Sequence, residues 1–292
     1  MNTNKVVMAG AGTMGASLAQ VYAQAGWDTV LYNRSDSGLK RAKNLIEVNQ
    51  AVFVKEGILE ESHSKALVSR IKMTTGKEDF RDAALVVESI VENLDAKRAF
   101  WEEISEIAPV EALFATNTSG LKITEIAKVC KYPERFMGQH WLNPPHLLPL
   151  CEIIAGEQTA PENVQKMRKL VEGLGKRPVV VADINGFIIN RIQFAVLREA
   201  LHIVDIGAAT IEDVDTVLKA GMGLRYAALG PFGVADFGGL DTFDHINSYL
   251  NAELDDSKVG NKRLHEMVEE GKLGVKSGTG FYDYSGDKAD EA

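Results

Sequence analysis

The sequence predicts an α/β fold: a Rossmann-type, doubly wound, parallel-rich sheet followed by an all-α C-terminal domain. Three observations carry this. Short β-type runs alternate with helical stretches from Lys5 to Val181. A glycine-rich turn, Gly10-Ala11-Gly12-Thr13-Met14-Gly15, follows the first run and opens a helix. From Phe187 onward the strand signals stop and the periodicity is helical.

Lys5–Ala9 is a short apolar strand ending at Gly10, and Met14, Leu18, Val21, Tyr22 and Ala25 give a helix that stops at Gly26. Thr29–Tyr32 is the second strand. A charged helix over Gly38–Glu56, broken by Gly57, and a shorter one over Glu60–Ser69 form a helical insertion at about 38–69. Ile71–Thr75 and Leu85–Ser89 are strands three and four, Leu94–Ile107 a helix, and Leu113–Thr116 the fifth strand. Three further strands are expected at Phe136–Gln139, Cys151–Ala155 and Pro178–Val181. Helices follow at Phe187–Ile206, Ile211–Lys219, Phe243–Leu254 and Lys262–Glu270. Asp183, Asn185 and Gly186 break the pattern between them, which gives a domain of 1–183 and a helical domain of 184–292. The final GDKADEA reads as a solvated tail.

The 292 residues suit one large domain or two ordinary ones, and 45% apolar with 25% charged residues is ordinary for a globular protein. A net charge of -9 argues against nucleic acid or an anionic membrane as partner. No apolar run reaches the ~20 residues of a membrane span, and no signal peptide precedes the first strand. Cys130 and Cys151 have neither disulfide-scaffold nor metal-type spacing, so no metal is expected and a reducing, cytoplasmic location fits.

In the glycine turn, Gly10 permits the tight bend, Gly12 lets backbone approach a pyrophosphate, and Gly15 lets helix pack on strand. Thr13 and Met14 stand at the helix N-terminus, whose free N–H groups and dipole attract the anion. An NAD site usually ends the second strand with Asp or Glu for the ribose 2′-hydroxyl. Here Asn33-Arg34-Ser35 stands instead: two groups able to hydrogen-bond a phosphate and one able to pair with its charge. The cofactor is therefore read as NADP or NAD, the charge pattern tilting toward NADP.

Gly138–Glu152, GQHWLNPPHLLPLCE, is mostly apolar yet carries His140 near one end and Glu152 at the other. A buried unpaired charge is costly, and the simplest partner for each is the other. Asn117 and Ser119 follow the fifth strand, and an Asn190-Arg191 pair interrupts the apolar start of the helical part. Together with GAGTMG, the stretches VVESIVENLDAK, ATNTSGLKITEIA, RFMGQHWLNPP, PLCEII, NGFIINR, LGPFGVAD and KSGTGFYDY resemble the L-3-hydroxyacyl-CoA dehydrogenase family, in order from Gly10 to Tyr284.

The resemblance implies His140 as catalytic acid/base, Glu152 as the carboxylate that orients it, Ser119 bonding the substrate oxygen, and Asn190 beside the thioester. It implies Glu88 and Glu92 near the nicotinamide, with Asn117 in the same cleft, and Lys55 on CoA. It further implies an acyl-CoA substrate, 3-hydroxybutyryl-CoA among the short chains, and a homodimer through a helical domain that closes the substrate cleft. His63, His202, His245 and His265 read as ordinary surface or core residues. The apolar residues of the Phe187–Ile206 helix read as domain or dimer packing.

Three departures keep other readings open: Asn33 replaces the acidic end of the second strand, the CoA contact rests on Lys55 and the helical insertion alone, and the stretch after His140 differs. WLNPPHLLPL replaces the more usual F-F-N-P-x-x-x-M-x-L, and with GLRYAALGP it also resembles CoA-independent relatives, L-gulonate 3-dehydrogenase and carnitine 3-dehydrogenase. A non-catalytic dinucleotide-binding protein is the remaining alternative. It would want a damaged constellation, and Ser119, His140, Glu152 and Asn190 are all present.

Overall fold

The computed structural model describes residues 4–286 and 288; of the expected tail only Gly286 and Lys288 fall among them. The chain divides into two compact units, 1–191 and 192–292.

The first unit is built on one sheet: β1 (Lys5–Ala9), β2 (Asp28–Tyr32), β3 (Ile71–Thr74), β4 (Leu85–Glu88), β5 (Leu113–Thr116), β6 (Phe136–Trp141), β7 (Leu150–Ala155) and β8 (Arg177–Ala182). The strand order is β3-β2-β1-β4-β5-β6-β7-β8. Every pair is parallel except β6 with β7. The chain winds outward from β1 to β3 and then returns to β4 on the other side of β1. This reversal creates the switch point at which such sheets bind ligands.

All five residues of β1 are buried, as a central parallel strand requires. Its side chains alternate between two cores. Val6 and Met8 join Leu18, Tyr22 and Ile46 on one face; Val7 and Ala9 join Phe80, Trp101 and Phe114 on the other. The first core is covered by α1 (Thr13–Gln24), α2 (Asp36–Lys55), α3 (Glu61–Ser69) and, further along, α6 (Pro161–Gly173); the second by α4 (Leu94–Ile107) and α5 (Ile123–Ala127). Side-chain caps start two of these helices: the Ser35 hydroxyl accepts from Gly38 N–H, and the Asn93 amide oxygen from Ala96 N–H.

Two α-helices of the first unit escape the sequence pattern. In α6 Val164, Met167, Leu170 and Val171 face the core among many charges, with Pro161 at the first turn as the remaining signal. Helix α5 has five residues, too few for a period. Asp183, read as a linker breaker, caps α5 from a distance: its carboxylate accepts from Ile123 N–H (3.0 Å), Thr124 N–H (2.8 Å) and the Thr124 hydroxyl (2.7 Å).

The helical part comprises α7 (Ile189–Asp205), α8 (Ile211–Val217), a wide π-type turn over Leu218–Gly223, α9 (Leu224–Ala228), α10 (Pro231–Gly238), α11 (Leu240–Leu250) and α12 (Lys262–Glu269). Helix α7 starts two residues later than the periodicity predicts, because Gly186 and Phe187 both have left-handed backbones (φ 77° and 51°). In the second unit, Leu201 is the one buried hydrophobic among the described residues. Its elements are tied instead by polar contacts: Asp205 with Arg263 and Asn261, Tyr282 with Asp215, and Glu199 with the Asp255 N–H.

Candidate active site

The glycine turn lies at the C-terminal end of β1. Gly10 has φ 109°, and a Cβ there would meet Ser89 O at 2.3 Å. A Cβ on Gly15 would meet Gly10 O at 1.8 Å, so helix α1 rests on the turn itself. Around Gly12 no atom lies within 4 Å of a Cβ position, and Gly12 and Thr13 are exposed while Met14 is half-buried. Backbone at the N-terminus of α1 thus opens onto free space. These residues fit a dinucleotide pyrophosphate: two glycines shape the turn and the third leaves approach clear. After β2, the Asn33 amide donates to Ser35 O (3.0 Å) and Ser35 Oγ (3.2 Å), and Ser35 caps α2. Both polar side chains are engaged locally, and Arg34 is exposed.

Beside β1, β4 ends in a fully buried ion pair. Glu88 and Lys97 are 2.6 Å apart with both side chains fully buried. Glu88 also accepts from Ile90 N–H (2.8 Å), Thr116 (2.6 Å) and Trp101 (3.3 Å). A buried pair of this kind is tolerated only with such complete hydrogen bonding. Glu88 is therefore turned inward. Glu92 is half-exposed; it accepts from Ser119 N–H (2.9 Å) and the Thr118 hydroxyl, and lies 3.6 Å from Lys97. Lys97 also donates to Asn117 O (3.3 Å).

The antiparallel pairing of β6 with β7 puts His140 directly across from Glu152. Period-two alternation sends Gln139 and His140 to opposite faces. Gln139 meets Tyr22, Trp141 and Met167 in the first core, whereas the His140 ring lies 5.3 Å from that of Phe187 in the second. His140 Nδ1 is 2.7 Å from Glu152 Oε2, and both residues are buried. Glu152 Oε1 accepts from the N–H groups of Ile188 (2.9 Å) and Ile189 (3.1 Å), at the start of α7. Burial drives the Glu152 carboxyl upward, but His140 and these two amides outweigh it and hold the group below its usual range. An ionised Glu152 accepts the Nδ1 proton and leaves Nε2 as the basic nitrogen of a neutral ring.

Around this pair the strand ends gather other expected residues. The Asn190 amide donates to Ser119 O (2.8 Å). Asn117 donates to the Ser89 hydroxyl (3.2 Å) and accepts from Trp141 N–H (3.3 Å), one residue past His140. Ser119 is exposed and Asn190 half-buried. Lys55 is exposed at the end of α2, and among the described residues no hydrogen bond or ion pair joins it to the cluster. Phe187 overturns its expected place in the helix: it precedes α7 and packs on His140. Lys97 escaped the sequence reading. Its signal was a lysine on the apolar-facing side of α4, nine residues after a strand-end glutamate.

A switch-point sheet, an open glycine turn and a histidine–carboxylate pair at the strand ends define an NAD-dependent oxidoreductase. Residues 5–184 match the NAD binding domain of 3-hydroxyacyl-CoA dehydrogenase, and residues 186–284 match its C-terminal domain. The chain belongs to the 3-hydroxyacyl-CoA dehydrogenase family.

A probable 3-hydroxybutyryl-CoA dehydrogenase of Deinococcus radiodurans is 39% identical, over 94% of this chain and 98% of the relative. A 5-formyl-3-hydroxy-2-methylpyridine 4-carboxylate 5-dehydrogenase of Mesorhizobium japonicum is 36% identical, over 96% of this chain and 90% of the relative. Among solved structures, a dehydrogenase of that pyridine carboxylate, described as an NAD+ dependent dismutase, gives TM-score 0.90 at 35% identity, covering 99% of this chain and 93% of that one. The (S)-3-hydroxybutyryl-CoA dehydrogenase of Ralstonia eutropha gives 0.79 at 33% identity, covering 97% and 99%.

Proposed function

We propose that the protein interconverts a short-chain L-3-hydroxyacyl-CoA, such as 3-hydroxybutyryl-CoA, with its 3-ketoacyl-CoA. The observation that carries this reading is the 2.7 Å contact between His140 and Glu152, with the second Glu152 oxygen held by two backbone amides. Bound NAD supplies the hydride acceptor, or NADH the donor in reverse. His140 Nε2 takes the hydroxyl proton as the C3 hydrogen leaves as hydride, and returns it in the opposite direction. Glu152 stabilises the imidazolium formed meanwhile. Ser119 and Asn190 orient the substrate oxygen and thioester, and Lys55 meets the CoA moiety.

A second reading has one specific observation in its favour: the relative named for a pyridine carboxylate shares 36% identity with this chain. In that reading the substrate is a small carboxylate without CoA, the class to which L-gulonate and carnitine also belong. NADH oxidation with acetoacetyl-CoA, beside the pyridine carboxylate, dehydrogulonate and dehydrocarnitine, decides between them. Good turnover of acetoacetyl-CoA retains the first reading; turnover of a free acid alone overturns it.

With Asn33 bonded to Ser35 and Ser35 capping α2, the charge argument for NADP rests on Arg34, and NAD is the working cofactor. An NADPH preference above about tenfold in kcat/KM would reverse that choice. The same proposal includes a homodimer in a reducing cytoplasm. The free, buried Cys130 and Cys151 support the location, and the second unit, with Leu201 its one buried hydrophobic among the described residues, supports the dimer. No helix among the described residues is long and apolar enough to cross a membrane.

A further inference from the structure

Lys176 is a half-buried lysine with no ion pair among the described residues. It occupies the turn from α6 into β8, and burial pushes its ammonium down from the usual lysine value. Its donors go to backbone: Pro145 O at 2.7 Å and Leu148 O at 3.0 Å. The next residue adds a third tie, Arg177 N–H to Pro149 O at 2.8 Å. All three acceptors belong to residues 142–149, the loop joining the His140 strand to the Glu152 strand. On its other side the loop rests on α2, where the His146 ring meets Phe53 edge-on at 5.2 Å.

A charge half-buried without a counter-ion is unfavourable, and an apolar residue would avoid that desolvation. What the ammonium adds is a compact donor with several N–H groups, able to hold two carbonyls at once through charge-assisted hydrogen bonds. The loop it holds begins two residues past His140, directly after Trp141, whose N–H donates to Asn117, and it turns Leu147 and Leu148 outward. The His140–Glu152 register, by contrast, comes from strand pairing and does not pass through Lys176.

We infer that Lys176 is a specificity-determining positioning residue: it fixes the 142–149 loop as the rim that substrate meets beside His140. The inference rests on the proposed reaction at His140. Removal of Lys176 should then weaken substrate binding and spare the hydride step. The test compares Lys176→Met and Lys176→Arg with the unaltered protein, using acetoacetyl-CoA and NADH kinetics and amide hydrogen exchange over 142–149. In Lys176→Met the KM for acetoacetyl-CoA should rise about tenfold, the effect of one lost charge-assisted bond, with kcat and the NADH KM within about threefold. Exchange at Leu147 and Leu148 should accelerate about tenfold, and Lys176→Arg should restore most of both.

An unchanged KM overturns the inference, as does a fall in kcat with substrate KM unmoved. If acetoacetyl-CoA is not turned over by the unaltered protein, the functional reading fails instead. Exchange in the loop, and KM for whichever acid is turned over, then decide on Lys176.

Discussion

Both oxygens of Glu152 are occupied, one by His140 and the other by two amides at the head of α7. Its carboxyl is held below the ordinary 4.5, so the stability it confers is complete above about pH 4.5 and is lost as pH falls through the lowered folded value. Glu152→Gln turns an amide NH2 toward donors on at least one side. It should cost about 1–3 kcal/mol at neutral pH, and the difference from the unaltered protein should vanish in acid, as urea titrations at several pH values would show. His140→Gln should lower turnover about 100-fold or more while leaving NADH affinity, read by fluorescence titration, nearly intact. A milder loss would remove the acid/base assignment. The pairing of His140 with Glu152 was legible because two ionisable groups in an apolar run need partners. Phe187 was not legible: its left-handed backbone answers to the approach of the amides to Glu152 and of its ring to His140, and neither leaves a local pattern.

At the level of elements, the glycine turn separates two effects that a motif merges. Gly12→Ala meets no protein atom, and its φ of -77° suits alanine. The unliganded protein should keep its thermal midpoint, while the rise in midpoint on adding NAD shrinks. Gly15→Ala forces a Cβ onto Gly10 O and should destabilise the protein with or without NAD, by about 1–3 kcal/mol. Equal behaviour of the two variants in differential scanning fluorimetry would contradict this division. The strands of the first unit were readable because each is a short apolar run bounded by turn residues. The direction of β7 and the remote capping of α5 by Asp183 were not, since both depend on pairings between segments far apart in the chain.

Over the whole molecule, the two units differ in how they hide apolar surface. The first has two packed cores; the second leaves Phe232 and Phe237 more than four-fifths exposed (86% and 83%) and Leu224 at 70%. Apolar surface on this scale marks an association site, and a second copy of the chain is the partner proposed above. Light scattering should give a dimer at micromolar concentration, and Phe232→Glu with Phe237→Glu should give a monomer. A monomer without substitution would refute the proposal. The hairpin of β6 and β7 has a wider consequence. His140 and Glu152 are neighbours by main-chain ladder, whereas the eight residues between Trp141 and Leu150 are tied elsewhere. Descendants of one ancestor could therefore rewrite that connection, and with it what they oxidise, while inheriting unchanged the means of oxidation.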